Sequence, residues 1–293
     1  MHQTLRAFEL VEPATITQAV DFLESYAGHA SVLAGGIDLI AKMRRWQLAP
    51  QCLVSLRRIP GLEQLIVNPT GELEIGPMAR LWSLESLAAV QKGWPVVYES
   101  VHQIASVQVK TMGTVVGNLC VATTASDVAV ALYVLDARFT LAGPQGERSL
   151  PIENFFVPVA SSVLARSEIV TQVTVPPLAS GSGTAFQKLA HTKACIAKVN
   201  AAARVRLQAG LCVDVRIAMG AVGPTFIRAR RAEALLEGRP LGAELIAAAA
   251  AAAAADSEPQ SDLRASAGYR RRTVEVLVGR ALAEAVCRAG EGR

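Results

Sequence analysis

The stretch Leu33-Ala34-Gly35-Gly36-Ile37-Asp38 decides how this chain reads. It continues Ser31 to Leu33, a short apolar run with strand character, and it opens a segment from Asp38 toward Trp46 whose spacing predicts a helix. Paired glycines between a strand and a helix have two uses. They permit a tight turn with positive φ, or they free backbone N–H groups that, with the helix N-terminus, cradle a phosphate. Upstream, Ile16, Ala19, Val20, Leu23, Tyr26 and Ala27 recur at helical spacing, and Thr15 with Gln18 forms a capping box. The first fifty residues thus alternate strand and helix, the pattern of an α/β layer.

A second glycine-bearing segment lies further on: Gly113-Thr114-Val115-Val116-Gly117-Asn118-Leu119, followed by Thr123, Thr124, Ser126 and Asp127. It reads as a loop over 113–124 leading into an apolar helix from Asp127 to Leu135. Neither segment is a G-x-G-x-x-G fingerprint or a Walker A loop, which excludes the Rossmann and P-loop readings. Two such loops without a Lys-Ser/Thr pair point to a pyrophosphate held mostly by backbone, as in a dinucleotide cofactor. An ordinary structural turn is the competing reading for each loop taken alone. Between them, Leu65–Val67 and Leu73–Ile75 flank the turn Asn68-Pro69-Thr70-Gly71 as a hairpin, and Leu84–Val90 and Val96–Ile104 read as helices. Strands are expected at Phe139–Ala142 and Ile169–Val175. The linker Leu178-Ala179-Ser180-Gly181-Ser182-Gly183 places a boundary after Pro176-Pro177. Beyond it, Val199 to Leu207 and Val213 to Met219 alternate as an antiparallel hairpin with one buried face. The chain closes in helices, with Val274, Leu277, Val278, Ala281 and Ala285 as an amphipathic stripe.

Composition removes several classes. With 293 residues, 51% hydrophobic and 18% charged, the chain can bury a sizeable core, which excludes intrinsic disorder. The net charge of +4 is mild, and the clusters Arg228, Arg230, Arg231 and Arg270 to Arg272 are short and lack interleaved aromatics. They read as solvated helix faces or a protein contact, so no nucleic-acid partner is expected. Cys52, Cys120, Cys195, Cys212 and Cys287 include no C-x-x-C pair, so neither a metal centre nor a disulfide framework is expected in this chain. His2, His29, His102 and His191 are scattered without ligand spacing, and no G-x-S-x-G elbow surrounds Ser126. The start MHQTLRAFELVEP carries no signal-peptide pattern, and the run Ala247–Ala255 is too short to span a bilayer. Thiols without a framework suit a reducing compartment, so the expectation is cytoplasmic.

At these residues the sequence resembles the FAD-binding medium subunit of the molybdenum hydroxylases, the group that includes carbon monoxide dehydrogenase and xanthine dehydrogenase. The family's first loop, A-G-G-[TH]-[DS]-L, compares with Ala34 to Leu39. Its second, T-[IL]-G-G-N-[IL], compares with Thr114 to Leu119, and the later Ser-Asp with Ser126-Asp127. Glu168-Ile169-Val170 resembles its E-I-[IL] strand, and Phe186-Gln187-Lys188 and Ile196-Ala197-Lys198-Val199 its F-x-K and D-I-A-x-V stretches. Gly220 to Thr225, Arg228 to Glu233 and Tyr269-Arg270-Arg271 resemble its C-terminal domain. The resemblance implies an α+β fold: a two-lobed FAD domain over 1–177 (lobes about 1–57 and 58–177), then a smaller domain over 184–293 with a three-stranded antiparallel sheet and helices. It implies non-covalent FAD, with Ala34, Gly35, Gly36, Ile37 and Asp38 on one wall and Thr114, Gly117, Asn118, Thr123 and Asp127 on the other. Ile169, Val170 and Lys188 are expected near the isoalloxazine. The implied partners are a large subunit with the molybdenum cofactor and a small subunit with [2Fe–2S] clusters, as a dimer of heterotrimers, with FAD passing electrons to an external acceptor.

Departures from the pattern keep other readings open. Ile37 stands where the family has a hydroxyl or imidazole, Val116 replaces the first glycine of a pair, Thr124 takes a proline position, and Lys110-Thr111-Met112 replaces an arginine-containing approach. The alternatives are a self-contained small flavin oxidoreductase and a scaffold subunit that has lost FAD.

Overall fold

The computed structural model describes residues 5–291, so His2 and the first residues of the N-terminal stretch lie outside it. The first lobe comprises β1 (Glu9–Val11), α1 (Ile16–Ser25), β2 (Ala30–Leu33), α2 (Ile37–Arg44) and β3 (Cys52–Ser55), and its three strands are parallel in the order β1-β3-β2. Thr15 caps α1 by accepting from the Gln18 N–H, while the Gln18 side chain reaches back to the Ala14 N–H. The apolar face of α1 (Ala19, Val20, Leu23) packs on β3 residues Cys52 and Val54, which are fully buried. Parallel strands need crossover helices, and α2 is the crossover that leads from β2 to β3.

The second lobe begins with the hairpin β4 (Leu65–Val67) and β5 (Leu73–Ile75). Six short helices follow: α3 (Leu81–Ser86), α4 (Ala88–Gly93), α5 (Pro95–His102), α6 (Val107–Met112), α7 (Val115–Cys120) and α8 (Asp127–Tyr133). The helix expected over 84–90 is in fact two, broken at Leu87, whose extended backbone caps α4. The loop expected over 113–124 contains α7. Gly117 and Asn118 are weak helix formers, and tertiary packing of Val115, Val116 and Leu119 into the core overrides them. Then come β6 (Arg138–Gly143), β7 (Gly146–Pro151), a small ribbon of β8 (Phe156–Val157) and β9 (Ser161–Ser162), and β10 (Ile169–Val175). The main sheet is antiparallel, in the order β4-β5-β10-β6-β7.

The C-terminal part forms a second antiparallel sheet from β11 (Ser182–Leu189), β12 (Val199–Gln208), β13 (Leu211–Gly220) and β14 (Ile227–Arg228). Three strands are long, as expected, and the fourth has two residues. Helices α9 (Arg230–Leu236), α10 (Ala243–Asp256) and α11 (Ala267–Glu291) follow. The β12–β13 hairpin is buried on both faces rather than one. Val199, Ala201, Ala203, Val205 and Ile217 join the cluster under α9 to α11, while Ala202 and Ala218 on the other face join the core of the second lobe. Alanine is small enough there for α8 to lie on the sheet. Ion pairs add to the junction: Arg204 to Asp136 at 2.8 Å, and Arg230 to Glu153 at 2.6 Å. One arginine of each cluster turns inward, while Arg230, Arg231, Arg271 and Arg272 stay exposed, as expected of solvated helix faces. Arg228 pairs with Glu153 and Glu233, and Arg270, 5% exposed, donates to the Lys198 and Ala221 carbonyls and to Asp262.

Candidate functional site

Ligands of open parallel sheets sit beyond the carboxyl ends of the strands. At the carboxyl end of β2, residues Ala34 through Leu39 all line a cavity of about 400 Å³ between the two lobes. The two glycines of this loop have different tasks. Gly36 is the one with positive φ, at 74°, and it is the N-cap of α2. Gly35 lies outside that region. A Cβ there would stand 2.2 Å from the Met112 carbonyl oxygen and 2.9 Å from the Gly113 Cα, so it is the point where the backbones of the two lobes touch. A glycine N-cap offers no side chain, and α2 has no side-chain cap. Its first-turn N–H groups have no acceptor within the helix and open on the cavity, an arrangement that suits an anion. Asp38 in that first turn is a like charge for such an anion. Lys42, one turn along, lines the same cavity and opposes it.

The facing wall is built differently from the expectation. The start of α7 is closed by its own residues. Thr114 Oγ1 accepts from the Gly117 N–H at 3.0 Å, the Thr114 carbonyl accepts from the Asn118 N–H, and the Val115 N–H donates to Ala79. The Val115, Gly117 and Asn118 N–H donors are therefore engaged, and Gly117 borders the cavity beside two polar side chains. Thr114 and Asn118 line the cavity, and Asn118 Oδ1 accepts from Ser126 Oγ at 2.6 Å. That bond fixes the amide and leaves its Nδ2 hydrogens to donate toward the cavity.

Val116, which stands in place of the family's glycine, is 3% exposed and belongs to the main apolar cluster while also bordering the cavity. The helical turn of α7 carries its branched side chain into the core, which removes one ground for a chain that has lost FAD. Ile37, 38% exposed, remains an apolar side chain at the mouth. Thr124 holds the C-terminal domain through its carbonyl, which accepts from the Ala221 N–H at 2.7 Å.

Ile169 and Val170 open β10, are buried, and line the cavity. Thr123, Asp127 and Lys188 are not among its lining residues. Lys188 Nζ instead pairs with Asp127 Oδ2 at 2.6 Å, both side chains almost fully buried, and donates to the Gln103 carbonyl. Asn200 donates to the other oxygen of Asp127 at 2.6 Å. Burial pushes the Asp127 carboxyl upward, with Lys188 and Asn200 pulling against it. The cation expected beside the isoalloxazine is therefore placed in a buried pair that joins α8 to β11.

Lys110, on the approach that lacks the family's arginine, is buried against Glu85. Glu85 also meets His102 Nδ1 at 2.7 Å, and His102 Nε2 meets Lys193 at 2.8 Å. Burial raises the Glu85 carboxyl, but Lys110 and His102 outweigh it and hold the group below its ordinary value. This cluster ties together α3, α5 and α6; Leu81 of α3, Ile104 in the turn after α5 and Val109 of α6 reach the cavity. Sequence reasoning missed Lys42, Leu164 and Arg166 as lining residues. A cation two residues ahead of the Glu168-Ile169-Val170 motif was the one signal for Arg166.

Among known proteins, the family model described as the FAD binding domain in molybdopterin dehydrogenase matches residues 6–178, and that of the CO dehydrogenase flavoprotein C-terminal domain matches 184–285. The chain is 32% identical over 284 residues to the 6-hydroxypseudooxynicotine dehydrogenase complex subunit alpha of Paenarthrobacter nicotinovorans, covering 97% of this chain and 96% of that one. It is 32% identical to the carbon monoxide dehydrogenase medium chain of Hydrogenophaga pseudoflava, covering 94% and 96%. A solved structure of carbon monoxide dehydrogenase from Hydrogenophaga pseudoflava superposes with a TM-score of 0.94 at 33% identity, covering 97% of this chain and 99% of that one. With both family models matched in order and relatives alike over nearly their whole length, the chain belongs to the FAD-binding medium subunits of the molybdenum hydroxylases, oxidoreductase components whose cofactor is FAD.

Proposed function

We propose that this chain is the electron-transfer flavoprotein of a three-subunit molybdenum hydroxylase in the cytoplasm, assembled as a dimer of heterotrimers. Substrate is oxidised at molybdenum in a large subunit, [2Fe–2S] clusters of a small subunit relay the electrons, and this subunit delivers them to an external acceptor. The observation that carries the reading is the cleft itself, with the bare N-terminus of α2 on one wall and the Ser126-fixed Asn118 amide on the other. Bound FAD supplies the exchange between one-electron and two-electron carriers. The chain's residues bind and shield it. First-turn amides of α2 and the Asn118 Nδ2 hold the pyrophosphate, Gly35 allows the lobes to close on it, and Ile169, Val170 and Val116 exclude water from its rings. Membership in a complex of medium-chain type motivates the partners. Among the described residues, no helix is long and apolar enough to cross a membrane.

Anaerobic rapid mixing of the assembled complex with its substrate tests the relay. Flavin bleaching should follow iron–sulfur reduction, and the isolated subunit should not be reduced by substrate. Direct substrate reduction of flavin in the isolated chain would instead support a self-contained oxidoreductase.

A further inference from the structure

We propose that Arg166 recognises the adenosine half of the cofactor and is the residue by which this cleft distinguishes FAD from FMN, an assignment that rests on the FAD reading above. Arg166 lines the cavity, and among the described residues it has no ion-pair or hydrogen-bond partner. The acid nearest in sequence is already engaged: Glu168 takes Arg148 Nε at 2.6 Å and Nη2 at 2.8 Å, and accepts from the Ala165 N–H. Arg148 also donates to the Val163 carbonyl, so the turn that presents Arg166 is tied to β7 at both ends. The side chain has a seat as well. Gly28 has φ of 89°, and a Cβ there would stand 2.5 Å from Arg166 Nη1 and 2.6 Å from its Cδ. As it lies, the arginine side chain rests directly on the Gly28 backbone, and a side chain at that position would make it move. The result is a solvent-exposed guanidinium at the cleft mouth with no protein group among the described residues bound to its donors.

Its position selects the half of the cofactor. Gly28 precedes β2, and the amides of α2 follow it. Three steps of strand, about 10 Å, separate those ends, too far for Arg166 to share the pyrophosphate. Arg166 therefore meets a ring system. On the first-lobe side the cavity lining is apolar, with Leu23, Ala30, Val32 and Leu56 from one cluster, and Leu164 stands two residues before Arg166. On the second-lobe side the lining includes Ile104, Cys120 and Val121, and Gln103, next to Ile104 in the chain, accepts through its carbonyl from Lys188 of the C-terminal domain. The isoalloxazine must exchange electrons with other proteins and fits the second-lobe side, at the domain junction. Adenine takes no part in that exchange and fits the first-lobe side, where a planar guanidinium can stack on a purine and donate to its ring nitrogens.

The test titrates the full-length apo-protein with FAD, FMN and ADP, following flavin fluorescence for the first two and displacement of FAD for the third. Arg166→Ala should weaken FAD and ADP together by about tenfold while FMN affinity stays unchanged. Arg166→Gln, which keeps the stem on Gly28, repeats the measurement with the loop contacts retained. If FMN weakens in step with FAD, Arg166 serves the flavin half. If all three affinities are unchanged, it is a bystander. Either result overturns the assignment while leaving the FAD reading intact. Failure of the wild-type chain to bind FAD would overturn both.

Discussion

Asn118→Asp is the sharpest perturbation of the proposed phosphate site. The substitution is nearly isosteric, and the new carboxylate still accepts from Ser126 Oγ, which stands 2.6 Å from Oδ1 in the wild type. Only the other end of the group changes, from an N–H donor to a charged oxygen. Losing one donor to a charged acceptor costs about 1.5–3 kcal/mol. A like charge roughly 4 Å from the phosphate adds up to about 4 kcal/mol at an effective dielectric of 20, reduced where the cleft admits water. Together these weaken FAD binding by roughly two to three orders of magnitude. Asn118→Ala, which removes the donor without adding charge, should cost only about one to two. Fluorescence titration of the apo-protein at two ionic strengths reads both effects, and the difference between the variants should shrink with salt. Because the fold contacts persist, the apo-protein of Asn118→Asp should melt close to wild type. An affinity within about threefold of wild type in the Asp variant would show that Asn118 does not face the pyrophosphate.

Other outcomes follow from the same geometry. Gly35→Ala should lose FAD and also destabilise the apo-protein by about 1–3 kcal/mol, since its Cβ would collide with the Met112 carbonyl; a stable variant that has lost only flavin would mean the lobes do not close there. Lys188→Met should lower stability by about 3–5 kcal/mol by leaving Asp127 buried without its partner, with little change in FAD affinity; combining it with Asp127→Asn should restore much of the loss. Acid should weaken the fold through Asp262, whose hydrogen bonds from Arg270 and the Arg264 amide hold its carboxyl at about 2. A depressed carboxyl contributes stability above its unfolded value of about 4 and loses it as pH falls through the folded value. Glu85 and Glu168 are depressed and act with the same sign, whereas Asp127 and Glu99, raised by burial, act with the opposite one. Asp262→Asn should therefore flatten the melting temperature between about pH 4 and 2, and an unchanged slope in that window would refute the pairing.

Much of the first wall was legible because its signal is local. A strand, two glycines and a helix occupy consecutive residues, and their order alone puts backbone donors at a strand's carboxyl end. The second wall was less legible because its decisive contacts are tertiary. Nothing in Thr114 to Leu119 announces that core packing winds it into α7, or that Ser126 turns the Asn118 amide. Gly35 was legible as a glycine but for another reason than its use, since the neighbour that forbids a Cβ is Met112, far along the chain. Asp127 and Lys188 are 61 residues apart, and their types fit a cofactor contact as well as a buried pair. The two-sided burial of the β12–β13 hairpin was hidden because alanine reads as neutral on either face. Arg166 escaped notice because a lone arginine has no spacing; only its seat on Gly28 and the prior engagement of Glu168 single it out.

The identity and amount of flavin carried by the purified chain test the central claim most directly. Acid or heat should release a yellow supernatant containing one flavin per chain, which chromatographs as FAD. FMN in its place, a flavin that stays with the precipitate, or an apo-protein that fails to bind added FAD would contradict the account.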